Sequence, residues 1–175
     1  MIARLWAGWR MAGTDSGAGP KAPVVPADGL SLFERIEQAD LPEADAYILW
    51  RGEHCFALLN AYPYGTGHLM VVPKRAVPDL ERLTEAEHSE LWSAVRCASA
   101  ALRHAYVPDG INVGINIGRA AGASEPDHLH VHCLPRWHAD TNFTVAVAET
   151  RFVPEPLDLT WRKLRAAWPS RPPAA

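Results

Sequence analysis

The stretch His128-Leu129-His130-Val131-His132-Cys133-Leu134-Pro135 constrains this chain more than any other. Three imidazoles at a spacing of two cannot share one helix face. On a β-strand, where side chains alternate, they all project the same way. Leu129, Val131 and Cys133 then project to the opposite face, where an apolar layer can bury them. The spacing therefore predicts a half-buried strand over 128–134 with ionisable, nucleophilic groups on its open side. A single histidine would read as a core residue satisfied by hydrogen bonds; three on one face ask for chemistry.

A metal site is one reading, because histidine is the commonest transition-metal ligand. Along a strand, side chains at i and i+2 start about 7 Å apart and those at i and i+4 about 13 Å apart. Two such histidines converge on one ion, but a third on the same straight strand reaches it with difficulty. A row of imidazoles suits an extended polyanion better. Residue types and spacing rank phosphate chemistry first, a metal second and a structural role third.

The rest of the chain sets limits. Its 175 residues suit one domain with a proper core. A net charge of −3 offers no general attraction to nucleic acid, so phosphate binding must come from a local site. Cys55, Cys97 and Cys133 have neither disulfide nor metal spacing, which suits reduced thiols and a cytoplasmic protein. No signal peptide is evident, and no run approaches the roughly 20 apolar residues of a membrane span. Neither nucleic acid nor a membrane is expected as a partner.

Residues 13–29, rich in Gly, Ala and Pro, read as a flexible segment, and 169–175 as a disordered tail. Leu32, Phe33 and Ile36 have helical spacing. Strands are expected at 46–51, 55–59, 68–72, 111–117 and 128–134, with a loop over 61–67. Thr84 and Glu87 form a capping box that opens a long helix with Leu91, Val95, Ala98 and Leu102 as its buried stripe. That leaves His88 and His104 solvated or packing. The helix ends before Pro108-Asp109-Gly110, and a last amphipathic helix is expected over 157–168. Short antiparallel strands with one long helix argue for an α+β domain.

Several segments together resemble the histidine-triad (HIT) superfamily, whose motif is His-x-His-x-His followed by apolar residues. Gly67-His68-Leu69-Met70-Val71-Val72-Pro73-Lys74 and Asn112-Val113-Gly114-Ile115-Asn116-Ile117-Gly118-Arg119-Ala120-Ala121-Gly122 resemble its other landmarks. Pro135-Arg136-Trp137, Asp140-Thr141-Asn142-Phe143 and, near the start, Leu5-Trp6 with Trp9-Arg10 resemble the bacterial branch related to diadenosine tetraphosphate phosphorylases and hydrolases. The resemblance implies a single HIT domain over 1–175. Its HIT-like fold would be an antiparallel sheet of about five strands with one long helix, continued across a homodimer.

By position, the resemblance makes His130 the nucleophile that forms a nucleotidyl-histidine. His132 would stabilise the α-phosphate and leaving group, and His128 and His68 would complete the hydrogen-bonded cluster. Asn60 falls where the family places a ribose contact, and Asn116 where it places a phosphate-contacting amide. Leu32, Phe33, Ile36, Leu58 and Met70 would wall a slot for the base, with ordinary core packing as the competing reading. Gly122-Ala123-Ser124 offers backbone N–H groups and the Ser124 hydroxyl to phosphate oxygens. Arg119 and Arg136 would be distal phosphate contacts or surface salt-bridge residues.

Two segments depart from the pattern. Many relatives carry a Cys-x-x-Cys pair that helps hold a structural zinc, where Ser31 and Glu34 stand here, which argues against that site. The phosphate loop is more glycine-rich in close relatives, where Ala123 or Ser124 stands here. The expected activity is cleavage of the phosphoanhydride of dinucleoside polyphosphates, resolved by phosphate or water. No protein-bound cofactor or metal is expected, though a divalent cation can accompany the nucleotide. A nucleoside phosphoramidate hydrolase and a non-catalytic nucleotide- or partner-binding module are the alternatives.

Overall fold

Five short strands pair antiparallel throughout into one sheet of order β1-β2-β3-β5-β4. They are β1 (Ile48–Arg51), β2 (Cys55–Leu59), β3 (Leu69–Pro73), β4 (Gly110–Ile115) and β5 (Val131–Arg136). Among the described residues three α-helices accompany them: α1 (Leu32–Gln38), α2 (Glu85–Tyr106) and α3 (Leu157–Ala167). This computed structural model describes residues 29–140 and 155–170. Nearly all of the segment 13–29, most of the tail 169–175, the N-terminal tryptophans and Thr141-Asn142-Phe143 lie outside the described residues.

The two-residue period of the strands sorts side chains to two apolar layers. Cys55, Ala57 and Leu59 of β2, Leu69 and Val71 of β3, and Val131 and Cys133 of β5 pack with Leu91, Ala98 and Leu102 of α2 and Leu164 of α3. Phe56, Leu58, Met70 and Val72 point the other way and join Phe33 of α1 and Ile48. Strands β2 and β3 are thus buried on both faces, which is why they read as unbroken apolar runs.

Helix α2 begins as its sequence dictates. Thr84 Oγ1 accepts the Glu87 N–H at 3.2 Å, and the Glu87 carboxylate accepts the Thr84 N–H at 2.8 Å. Leu91, Val95, Ala98 and Leu102 are buried, while His88 and His104 are exposed. Val107 closes the helix in the left-handed region, at φ 45°. Helix α3 is tied to β1 by the Trp161 Nε1–H and the Arg165 guanidinium, which donate to the carbonyls of Ile48 (2.8 Å) and Leu49 (2.6 Å).

Strand boundaries shift where other hydrogen bonds compete. β1 starts at Ile48 because residues 42–47 coil, the Asp45 N–H bonding the Pro42 carbonyl at 2.9 Å. The largest departure is at the triad. β5 begins only at Val131, since the Leu129 N–H leaves the ladder for the Val77 carbonyl at 2.6 Å.

Candidate active site

Register brings the histidines together. Met70 of β3 pairs with His132 of β5, and His68 lies two residues before Met70 on the same face. His68 Nε2 and His132 Nδ1 are 3.0 Å apart. The His130 and His132 rings lie 4.9 Å apart at 79°. Phe33 of α1 meets His128 edge-on at 5.3 Å and His130 at 5.1 Å. Tyr64, from the β2–β3 loop, lies 4.5 Å from the His68 ring and 5.5 Å from that of His132.

The row is not on an open side. His68 and His128 are 1% exposed and His130 is 3% exposed; His132 alone is partly exposed. The expectation of an open strand face fails because α1 folds over the row and seats Phe33 on it. Burial, reinforced by the neighbouring His132 and His130, pushes His68 down to about 3. Burial also pushes His128 and His130 down. The Pro73 carbonyl and Glu34 oppose this at His128, and the His128 carbonyl opposes it at His130. All three rings are neutral near pH 7, so each carries a single N–H.

The partners then fix which nitrogen carries it. His130 Nδ1 lies 2.8 Å from the main-chain carbonyl of His128, an acceptor, so Nδ1 holds the proton and Nε2 keeps its lone pair. His68 Nδ1 accepts the Tyr64 main-chain N–H at 3.0 Å, so its proton sits on Nε2 and is donated to His132 Nδ1. A neutral His132 therefore carries its proton on Nε2. His128 Nε2 donates to the Pro73 carbonyl at 2.8 Å, and its Nδ1 accepts the Ser31 hydroxyl at 2.6 Å. The arrangement sets an unprotonated ring nitrogen beside a ring that can donate.

The other expected residues divide. Phe33, Leu58 and Met70 lie in one apolar cluster with Ile36 packed against it, while Leu32 is half-buried and is not part of that packing. Asn60 turns its amide oxygen onto the Tyr62 N–H at 2.8 Å, and its own N–H bonds the His68 carbonyl at 3.1 Å. Asn116 follows β4 and is half-buried, and Ser124 is exposed. The expected use of the Gly122 and Ala123 N–H groups is overturned: they bond the Arg119 and Gly118 carbonyls at 3.0 and 3.3 Å. Arg136 clamps Asp140 through two bonds of 2.6 and 2.7 Å and Asn112 through one of 2.8 Å, which makes it a structural residue. Arg119 remains exposed.

Two contacts escaped the sequence reading. Tyr64 sits in a Gly- and Pro-rich loop, where no periodicity predicts an aromatic ring's direction. Ser31-x-x-Glu34 is the same capping-box signal as Thr84-x-x-Glu87, and it does cap α1. Its two residues stand where the family pattern has a cysteine pair, and that comparison masks the cap signal. These residues do not fit a zinc ion. The Ser31 hydroxyl is engaged by His128 and the Glu34 N–H, and the Glu34 carboxylate accepts the Ser31 N–H at 2.9 Å and the Ala76 N–H at 3.1 Å.

An antiparallel sheet carrying a cluster of four imidazoles, three of them buried, defines a narrow class of protein, and comparison with known sequences agrees. The chain belongs to the HIT domain family, whose model matches residues 42–139. It is 37% identical over 171 residues to the AP-4-A phosphorylase of Mycobacterium tuberculosis, covering 98% of this chain and 87% of that one. It is also 37% identical over 93 residues to the asymmetrical bis(5'-nucleosyl)-tetraphosphatase of Schizosaccharomyces pombe, over 53% of this chain and 50% of the relative. Among solved structures, a zinc-bound histidine triad family protein from Mycobacterium smegmatis superposes with a TM-score of 0.64 at 27% identity, covering 79% of this chain and 92% of that one.

Proposed function

We propose that this protein cleaves dinucleoside polyphosphates such as diadenosine tetraphosphate through a nucleotidyl-His130 intermediate, resolved by orthophosphate or water. The observation that carries the reading is the bond from the His130 Nδ1–H to the His128 carbonyl, which leaves Nε2 with its lone pair. A phosphoric anhydride resists attack because its charge repels nucleophiles, so catalysis rests on positioning and on donors aimed at developing charge. His130 Nε2 attacks the α-phosphorus, forming an N–P bond as the P–O bond to the leaving polyphosphate breaks. His132, carrying its proton on Nε2, donates to the oxygen that gains charge. Phosphate or water then attacks the phosphoramidate and returns the electron pair to His130.

Asn60 contacts the ribose, Asn116 and the Ser124 hydroxyl contact phosphate oxygens, and Arg119 contacts the distal phosphates. Ile36, at the half-buried rim of the apolar cluster, and Leu32 of the same helix meet the base over Phe33, Leu58 and Met70. The names of the two enzymes above support a dinucleoside polyphosphate as substrate. A homodimer joined along β4 fits this reading: β4 ends the sheet, and Val113 within it and Ile117 just beyond it are each 44% exposed. Three free, buried cysteines suit the cytoplasm, and no helix among the described residues is long and apolar enough to cross a membrane.

Product analysis of diadenosine tetraphosphate turnover, with and without orthophosphate, tests the proposal. ADP plus ATP, formed only with phosphate, means phosphorolysis; AMP plus ATP means asymmetric hydrolysis. No turnover overturns the substrate assignment and favours a phosphoramidate.

A further inference from the structure

Residues 128–130 precede the ladder of β5, so sheet hydrogen bonds do not place the His128 carbonyl on which His130 rests. Two main-chain bonds outside the ladder, from the Leu129 N–H to the Val77 carbonyl at 2.6 Å and from the His128 N–H to the Glu125 carbonyl at 3.3 Å, hold the His128 backbone, and its own side chain adds a further hold. The His128 ring is pinned at both nitrogens, by the Pro73 carbonyl at the end of β3 and by the Ser31 hydroxyl at the start of α1. Ser31 is itself held. Its oxygen accepts the Glu34 N–H at 3.2 Å, its N–H donates to the Glu34 carboxylate, and that carboxylate also accepts the Ala76 N–H. Hydrogen bonds at the His128 ring and at its carbonyl, joined through the covalent frame of that residue, connect the N-cap of α1 to the Nδ1–H of the proposed nucleophile.

We propose that Ser31 is a positioning residue for the reaction at His130. Its hydroxyl proton, given to His128 Nδ1, holds His128 in the Nε2–H tautomer and adds to the main-chain bonds in positioning the carbonyl that fixes the His130 tautomer. The Glu34 N–H occupies one lone pair of the Ser31 oxygen and so turns the hydroxyl proton toward the imidazole. Ser31 touches no reacting atom. It acts through two intermediaries, and the inference rests on His130 being the nucleophile.

Capping α1 is a competing, purely structural role for the same side chain, and Ser31→Asp separates the two. Aspartate is as good an N-cap as serine, but it offers His128 a carboxylate acceptor where a donor stood. His128 Nδ1 must then gain a proton, and the ring becomes an imidazolium or changes tautomer. Ser31→Ala removes both roles, and Ser31→Thr keeps both.

Imidazole 15N spectra and steady-state kinetics of the full chain test this. Wild type should show His128 and His130 neutral and of opposite tautomer, protonated on Nε2 and Nδ1 respectively. Ser31→Asp should keep its melting temperature within a few degrees, shift the His128 nitrogens, and lose about 10- to 100-fold in kcat with KM little changed. Ser31→Ala should show a similar kcat loss, and Ser31→Thr should restore it. Unchanged kcat in both Ser31→Asp and Ser31→Ala overturns the proposal, as does a wild-type His128 protonated on Nδ1. The spectra need no substrate, so they stand apart from the functional reading. That reading fails separately if His130→Ala turns over normally.

Discussion

Gly67 stands directly before His68 with φ at +78°, a conformation that strains any residue with a Cβ. A Cβ there would lie 2.9 Å from Pro135 Cγ, 3.3 Å from Pro135 Cδ and 3.1 Å from Tyr106 Cε2. Neither neighbour yields easily. Pro135 is a buried ring within β5, where it pairs with Ile111, and the Tyr106 hydroxyl is bonded to Glu155 at 2.5 Å. Gly67→Ala therefore combines left-handed strain of about 1 kcal/mol with overpacking of about 1–3 kcal/mol. The expected loss is about 2–4 kcal/mol, read as a melting temperature lower by roughly 5–15 °C. Relief by moving the loop shifts His68 and Tyr64, whose N–H sets the His68 tautomer, so kcat should fall more than KM rises. Urea titration gives the stability, and kinetics below the transition give the split. A loss under about 0.5 kcal/mol would refute the claim that β5 and α2 close on this position.

His130→Ala should abolish covalent labelling by radiolabelled nucleotide and cut turnover beyond the ~10²–10⁴-fold expected of a lost general acid or base; label persisting in the variant would mean another nucleophile. Because His130 is buried against Phe33, the variant should also be less stable by about 1–3 kcal/mol, measured by urea titration. Asn60→Ala should raise KM with kcat nearly intact, since the proposed ribose contact would be made equally in ground and transition states. Activity should survive chelation of protein-bound metal, and stoichiometric zinc lost together with activity would contradict the oxygen and nitrogen bonding at Ser31 and Glu34. The Arg75 guanidinium holds the Glu87 carboxyl down at about 2 against an ordinary 4.5. Its folded-state value is depressed, so the stabilisation is complete above the unfolded value near 4.5 and is lost as pH falls through about 2. The advantage of wild type over Glu87→Gln, about 1–3 kcal/mol at neutral pH, should shrink across that window in urea titrations.

The parts legible in the sequence were those where one local signal had no rival. β2 is a run of five apolar residues between turns, and α2 is announced by a capping box and a helical stripe; both lie where the residues place them. The triad's strand was legible only in part. Alternation correctly put Leu129, Val131 and Cys133 on the core side, but it cannot register that the Leu129 N–H finds Val77 instead of a neighbouring strand. Nor can it register that a seven-residue helix 97 positions away places Ser31 against His128. Burial of the row follows from that contact, which is why an open face was expected and a covered one found. The anion-binding reading of Gly122-Ala123 failed for a related reason. Glycine permits a nest of free N–H groups and equally permits a tight turn that consumes them.

The motif alone cannot explain how rings of one residue type, set side by side by strand period, come to hold opposite roles. Burial removes charge as the distinguishing variable, since it drives His68, His128 and His130 alike toward the neutral form. What remains is the tautomer, which in each ring answers to the backbone group it meets. His130 meets a carbonyl and keeps its proton on Nδ1; His68 meets an N–H and keeps its proton on Nε2, passing that polarity on to His132. The nucleophile and the donor of the proposed reaction thus arise side by side without any difference in side-chain chemistry. Substituting the donors in these series, rather than the triad itself, is therefore the sharper probe: it changes which nitrogen holds a proton while leaving every imidazole in place.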